Sequence, residues 1–174
     1  MRRWVWVVAA AVLLLGVAAP YELRWTDWRY DPANYPKMVK WAGCQAPVVV
    51  DPDASPVASY YRIGEYMSVG TKEDAGVPYY AGLFILFHET GHCLQYQEGW
   101  IQKQDDIQTI ELDADRRSAD LMCGLGLDGR SLLIQTFEWV HDQFGYNGDW
   151  AHGTLADREA QAANAHQCDK VSGL

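Results

Sequence analysis

Positive charge is scarce in this sequence. Fourteen Lys and Arg stand against 23 Asp and Glu, a formal net charge of -9, which excludes a protein that works by neutralising phosphates along nucleic acid. Internal repeats and low-complexity linkers are missing, so a single domain is expected. No Cys-x-x-Cys pair occurs, which weighs against a four-cysteine metal site. Beyond the first 20 residues no apolar run is long enough to span a bilayer. What is present, 174 residues at 49% apolar and 21% charged, is ordinary globular composition and rules out disordered and collagen-like chains.

The opening residues, MRRWVWVVAAAVLLLGVAAP, join a basic start to an uncharged apolar stretch and a small-residue end, the layout of a secretory signal. Cleavage after Ala19 satisfies the small-residue rule at Val17 and Ala19 but leaves Pro20, a poor residue, directly after the cut. As a helix, Trp4 to Ala19 reaches about 24 Å, short of the roughly 20 residues that a bilayer span prefers. Residues 1–19 are therefore read as a signal peptide or N-terminal anchor, and residues 20–174 as the domain. The chain is expected to be exported, whether secreted, periplasmic or attached to a membrane through that segment. Its four cysteines, Cys44, Cys93, Cys123 and Cys168, are an even number in an exported chain and predict two disulfides. Three connectivities are open.

Pro32 and Pro36 confine any early helix to a short one. Val48-Val49-Val50, between Pro47 and Pro52, predicts a short buried strand, and SYYRIGEYMSVG predicts one long strand or a hairpin turning at Gly64-Glu65. Pro78 suits the first turn of a helix running from Tyr79 to Glu98, with Gly99 as its stop. Further helices are expected over Ile107 to Met122, Arg130 to Phe144 and about Thr154 to Cys168. The pattern describes a single α+β domain with a small sheet at its front.

The first of those long helices contains His88-Glu89-Thr90-Gly91-His92, the pattern HExxH. Residues four apart differ by about 40° around a helix, so both imidazoles leave one face and can bind a single Zn²⁺. Glu89 projects about 100° away from His88, outside the ligand set yet near the fourth coordination position, where it can take a proton from water. A catalytic tetrahedral site needs a third protein ligand. Glu111, 19 residues after His92 on the next helix, is placed to supply it. Asp115, four residues on, shares its face and can accept the second N–H of a ligand histidine. Two helix histidines on a polar surface and a solvated Glu111 are the plainer alternative, which the combined spacing disfavours. His141 and His166 carry no partner pattern.

HETGH followed by ELDADRRSAD resembles the HExxH plus ExxAD signature of gluzincin metallopeptidases. The likeness is greatest to the group of HtpX and the CAAX-prenyl endopeptidases and to the bacterial neutral zinc metallopeptidase proteins. It is specific over Tyr79 to Cys123 and faint elsewhere. The resemblance implies a small zincin-like domain, mostly helical with a short sheet packed by the HExxH helix. It makes His88, His92 and Glu111 ligands of one zinc ion, Glu89 the general base and Asp115 a partner behind the ligands. Ala151-His152-Gly153-Thr154 with Arg158 is similar to a second element of the neutral metallopeptidases. By that likeness His152 donates to the developing oxyanion, the alternative being a loop histidine that caps the following helix. Arg158 is expected to anchor an acidic partner near the site. In gluzincins an extended peptide lies along an edge strand, and Tyr66-Met67-Ser68-Val69 is the expected counterpart.

Departures from related patterns narrow the reading. After His92 the chain reads CLQYQEG, so Gln95 and Glu98 stand where metzincins need Gly and His. Glu98 as an alternative third ligand lacks the glycine that would turn the helix to deliver it. The expected function is an exported zinc metallopeptidase acting on a peptide or protein substrate. A non-catalytic zinc-binding or partner-binding protein is the main rival, and a hydrolase of non-peptide amides would use the same metal chemistry.

Overall fold

The computed structural model describes residues 28–61, 65–72, 76–104, 106–149, 152–164 and 168. The segment read as an export signal or anchor lies outside them, as do His166 and most of the stretch after Asn164 that was expected to be helical. A 3-10 turn at Pro32–Asn34 leads into helix α1 (Tyr35–Trp41). Strands β1 (Val48–Asp51), β2 (Ala58–Tyr61) and β3 (Tyr66–Gly70) follow. Then come helices α2 (Tyr79–Gln97), α3 (Ile107–Gly124) and α4 (Gly129–Phe144), the short pair β4 (Gly148–Asp149) and β5 (Gly153–Thr154), and helix α5 (Leu155–Asn164). Mixed helix and sheet is the expected class.

α2 is the central element. Pro78 sets its entry, no proline interrupts its 19 residues, and Gly99 turns the chain away in a left-handed conformation at φ 66°. Leu83, Leu86, Phe87, Thr90 and Cys93 are buried on different sides of it, which requires neighbours all round. The sheet, α3 and α4 provide them. α3 starts at Asp106, whose carboxylate accepts the otherwise unpaired N–H groups of Gln108 and Thr109. α4 starts in the same way on Asp128 and ends at left-handed Gly145. Met67 and Val69 of β3, Met122 of α3 and Leu133 of α4 close the core around α2.

The sheet order is β1-β3-β2. β3 pairs in parallel with β1, Val48 facing Met67, and antiparallel with β2, Tyr61 facing Tyr66. Two expectations are corrected here. β3, expected as the edge strand, is the central one, its backbone taken up on both sides, and the edge beside α2 is β2. β1 is a strand as expected but not a buried one, since Val49 and Val50 are 51% and 45% exposed. It lies on the far side of β3, where α2 does not cover it. Of the two forms expected for the Tyr-rich run, the pair of antiparallel strands is the one found, with residues 62–64 of the connection outside the described set.

The disulfides are Cys44–Cys93 and Cys123–Cys168. Two such bonds belong to an oxidising environment. No helix among the described residues is long and apolar enough to cross a membrane. Cys44–Cys93 ties the chain ahead of β1 to α2, one residue past His92, and closes a loop with a sequence separation of 49. Replacing both cysteines by alanine is expected to lower the unfolding free energy by about 2–4 kcal/mol in urea titration. A loss under about 0.5 kcal/mol would show that the bond adds no restraint.

Candidate metal centre

His88 and His92 leave one face of α2, the first buried and the second half-buried. Whether a third group can join them depends on how closely α3 approaches. Gly91, between the two histidines, faces Ala114 of α3, and a Cβ at position 91 would stand 3.2 Å from the Ala114 carbonyl oxygen and 3.3 Å from its Cα. Only a residue without a side chain lets the two backbones come this near without displacement. The approach carries Glu111 Oε2 to 3.1 Å from His88 Nε2 and 3.2 Å from His92 Nε2, with the two nitrogens 3.1 Å apart.

Hydrogen bonds behind the imidazoles determine what these atoms offer one another. Asp115 Oδ1 lies 2.8 Å from His88 Nδ1, and a carboxylate only accepts, so Nδ1 carries the proton. Gln95 Oε1 lies 3.0 Å from His92 Nδ1. The Gln95 amide cannot be reversed, because its Nε2 donates at 2.9 Å to both the Ile110 carbonyl and Asp113 Oδ2. His92 Nδ1 is therefore a donor as well. Both Nε2 lone pairs and the Glu111 carboxylate then converge on one point.

That point attracts positive charge. Burial would push the His88 imidazole down, but the bonds to Asp115 and Glu111 and the nearby Glu89 outweigh it and raise its pKa to about 10. Burial would raise Glu111, yet its bonds to His88 and His92 hold it well below the usual carboxylate range. A metal ion can replace that proton. A tetrahedral ion with ligand bonds of about 2.0–2.2 Å spaces its donors roughly 3.3–3.6 Å apart. The three donors here are nearly at that spacing, so the group fits a metal ion.

The supports reach into both neighbouring helices. Asp115 is fully buried and receives Arg158 of α5 in two bonds, Nε to Oδ2 at 2.8 Å and Nη2 to Oδ1 at 2.7 Å. The Arg158 guanidinium lies 4.0 Å from the centroid of the Phe137 ring. Burial would raise the Asp115 carboxyl, but His88 and Arg158 hold it below the usual range, so the buried charge is compensated. Asp113, behind Gln95, is gripped by Arg116 Nη2 at 2.7 Å and Arg117 Nε at 2.6 Å. Arg117 also pairs with Glu98 at 2.8 Å, so Glu98, weighed as an alternative ligand, is engaged elsewhere.

Glu89 stands apart from the three donors, its Oε2 accepting the Tyr60 N–H of β2 at 2.7 Å. His152 arrives just ahead of β5, its Nε2 3.4 Å from Glu111 Oε2. It is not one of the three converging donors. The structure thus brings His88, Glu89, His92, Glu111, Asp115, His152 and Arg158 into one neighbourhood, and leaves Glu98 out of it. Gln95 was passed over in the sequence, where it registered only as a departure from another pattern. Its position three residues after His92, on the same helix face, was the available signal.

Gln95→Leu is expected to keep the fold but weaken metal affinity by roughly 10–100-fold, read by competition with a chelating dye. Affinity equal to wild type would remove Gln95 from the site. The His88 titration gives a second outcome. Its folded value of about 10 is above the ordinary 6.5, so its contribution to stability is complete below about pH 6.5 and is lost as pH rises through 10. The melting temperature of metal-stripped protein should fall across that interval, and metal affinity should rise across it as protons stop competing. A pH-independent affinity between 6.5 and 10 would contradict the assignment. Comparison with protein families, curated proteins and solved structures returns no match.

Proposed function

We propose that the protein is an exported zinc-dependent metallopeptidase on a zincin-like domain of gluzincin type. The observation that carries this reading is the position of Glu89, outside the three donors but beside them, and against the edge of the sheet. A purely structural metal site has no need of a carboxylate there. His88, His92 and Glu111 would hold the zinc, three protein ligands with a fourth position left for chemistry. When bound, zinc supplies Lewis acidity, which polarises a carbonyl and makes water a stronger acid.

The rest of the reaction falls to the chain's own groups. Glu89 accepts the proton of the attacking water and delivers it to the leaving amine. His152 would donate to the oxyanion, a role supported by its half-buried position beside Glu111. Asp115 and Gln95 keep both imidazoles in the tautomer that presents Nε2, and Arg158 holds Asp115.

The edge strand supports a peptide substrate. The Val57 carbonyl accepts from Gly70, so Val57 faces β3. Alternation then turns Ser59 and Tyr61 the same way and points the backbone groups of Ala58 and Tyr60 outward. The outward N–H of Tyr60 is the one that meets Glu89. An extended peptide lying along this edge would pass the general base and be held by backbone pairing whatever its sequence. The disulfides and the basic-apolar N-terminal segment support export.

The same Tyr60–Glu89 bond favours one rival, in which Glu89 fastens α2 to the sheet and the protein binds a partner without cutting it. Glu89→Gln separates the two, since glutamine can still accept the N–H but cannot serve as a base. The variant is expected to bind one zinc and lose about 10²–10⁴-fold in turnover of a peptide library. Glu111→Ala should fail to retain zinc. Undiminished turnover by zinc-loaded Glu89→Gln would eliminate the mechanism, and zinc at unit stoichiometry without any turnover by wild type would favour the binding protein.

A further inference from the structure

The face of α2 that carries Glu89 continues beyond the metal centre. Steps of four and seven residues along a helix return to nearly the same side, so Cys93 and Tyr96 follow Glu89 there. Opposite them stand Tyr60 of β2 and the segment ahead of β1, and together they line a cleft of about 430 Å³. That volume is within the roughly 300–1,000 Å³ of small-molecule sites. Its walls are fixed. The Cys44–Cys93 disulfide joins the two sides, and the Gln97 side chain accepts the Gln45 N–H at 2.5 Å and donates to the Gly43 carbonyl at 3.2 Å.

Tyr60 connects this cleft to the candidate active site. Its N–H meets Glu89, while its ring lies 6.4 Å from that of Tyr96 in the cleft wall. A chain laid along the outer edge of β2 beside Glu89 would therefore direct a neighbouring side chain into the cleft.

The lining decides which side chain. Among the described residues it contains one carboxylate, Glu65, and no Lys, Arg or His. Glu65 is exposed but tethered, because the Tyr96 hydroxyl donates to its Oε1 at 2.9 Å. Two tyrosine rings beside a held carboxylate attract a cation through both the ring quadrupole and direct charge. Among the described residues the aliphatic side chains in the wall are those of Ala46 and Pro47, too small to form an apolar pocket. The net charge of -9 adds a general attraction for basic ligands.

We infer that this cleft is a subsite for a lysine or arginine side chain of the substrate, adjacent to the scissile bond. The inference rests on the peptidase reading and narrows it to peptides with a basic residue near the cut. The long apolar stem of either residue can lie along the tyrosine rings while its charged end meets the Glu65 carboxylate.

The test uses full-length, zinc-loaded wild type, Glu65→Gln and Glu65→Lys with peptides differing at one position, Lys, Arg, Leu or Glu. Wild type should favour Lys and Arg by about tenfold in kcat/KM over Leu, Glu65→Gln should reduce this to about twofold, and Glu65→Lys should favour Glu. No basic preference in wild type, or an unchanged one in Glu65→Gln, overturns the subsite. NMR titration with N-acetyl-lysine methylamide and its leucine counterpart decides the matter without turnover. Shifts at Tyr60 and Tyr96 with the lysine probe alone, lost in Glu65→Lys, support the subsite even if no peptide is cut, in which case only the peptidase reading fails. No shift, or equal shifts with both probes, overturns it.

Discussion

Two imidazole nitrogens and a carboxylate oxygen that converge within about 3 Å repel one another unless positive charge stands between them. The construction of α2 and α3 revolves around that repulsion. Neither histidine can relieve it by turning its other nitrogen inward, because Asp115 and Gln95 keep both Nδ1 atoms occupied. Nor can Glu111 withdraw freely, since the helix that carries it is packed against α2 backbone to backbone at Gly91. The field that raises the basicity of His88 is the field that would hold a cation.

The supports are doubled. Asp115 stands directly behind one histidine and is held by an arginine from α5, while Asp113 stands behind the other at one remove, through an amide, and is held by two arginines of its own helix. Each histidine is thus backed by a carboxylate whose charge is balanced by guanidinium. The two routes also join α5, α3 and α2 into one polar frame beneath the donors. A frame of this kind leaves the three donors little to lose in flexibility on taking up an ion, because its members are already packed.

Most of the donor set was legible because helix geometry converts sequence spacing directly into direction. His88 and His92 needed only the 3.6-residue period, and Asp115 needed only its offset from Glu111. The sheet was less legible. Strand order depends on which segments pair across a distance in sequence, and nothing within YMSVG says that it lies between two others. The triple valine of β1 suggested burial by composition alone, whereas burial depends on what packs over a strand, and α2 packs over β2. Gln95 escaped because its role becomes visible only once Ile110 and Asp113 of the next helix fix its amide. The cysteine pairing was open for the same reason, being a property of proximity in space.

Glycine in mid-helix is less favourable than alanine by about 1 kcal/mol. Taken alone, α2 would therefore be sturdier with a methyl group at residue 91. That methyl would press on the Ala114 backbone and force α3 outward by a few tenths of an ångström, at the level where Glu111 must reach two imidazoles. An engineering campaign that exchanged helical glycines for alanines to gain thermal endurance would strengthen the helix and loosen the donor triangle in one step. At residue 91 the chain favours proximity over helix strength.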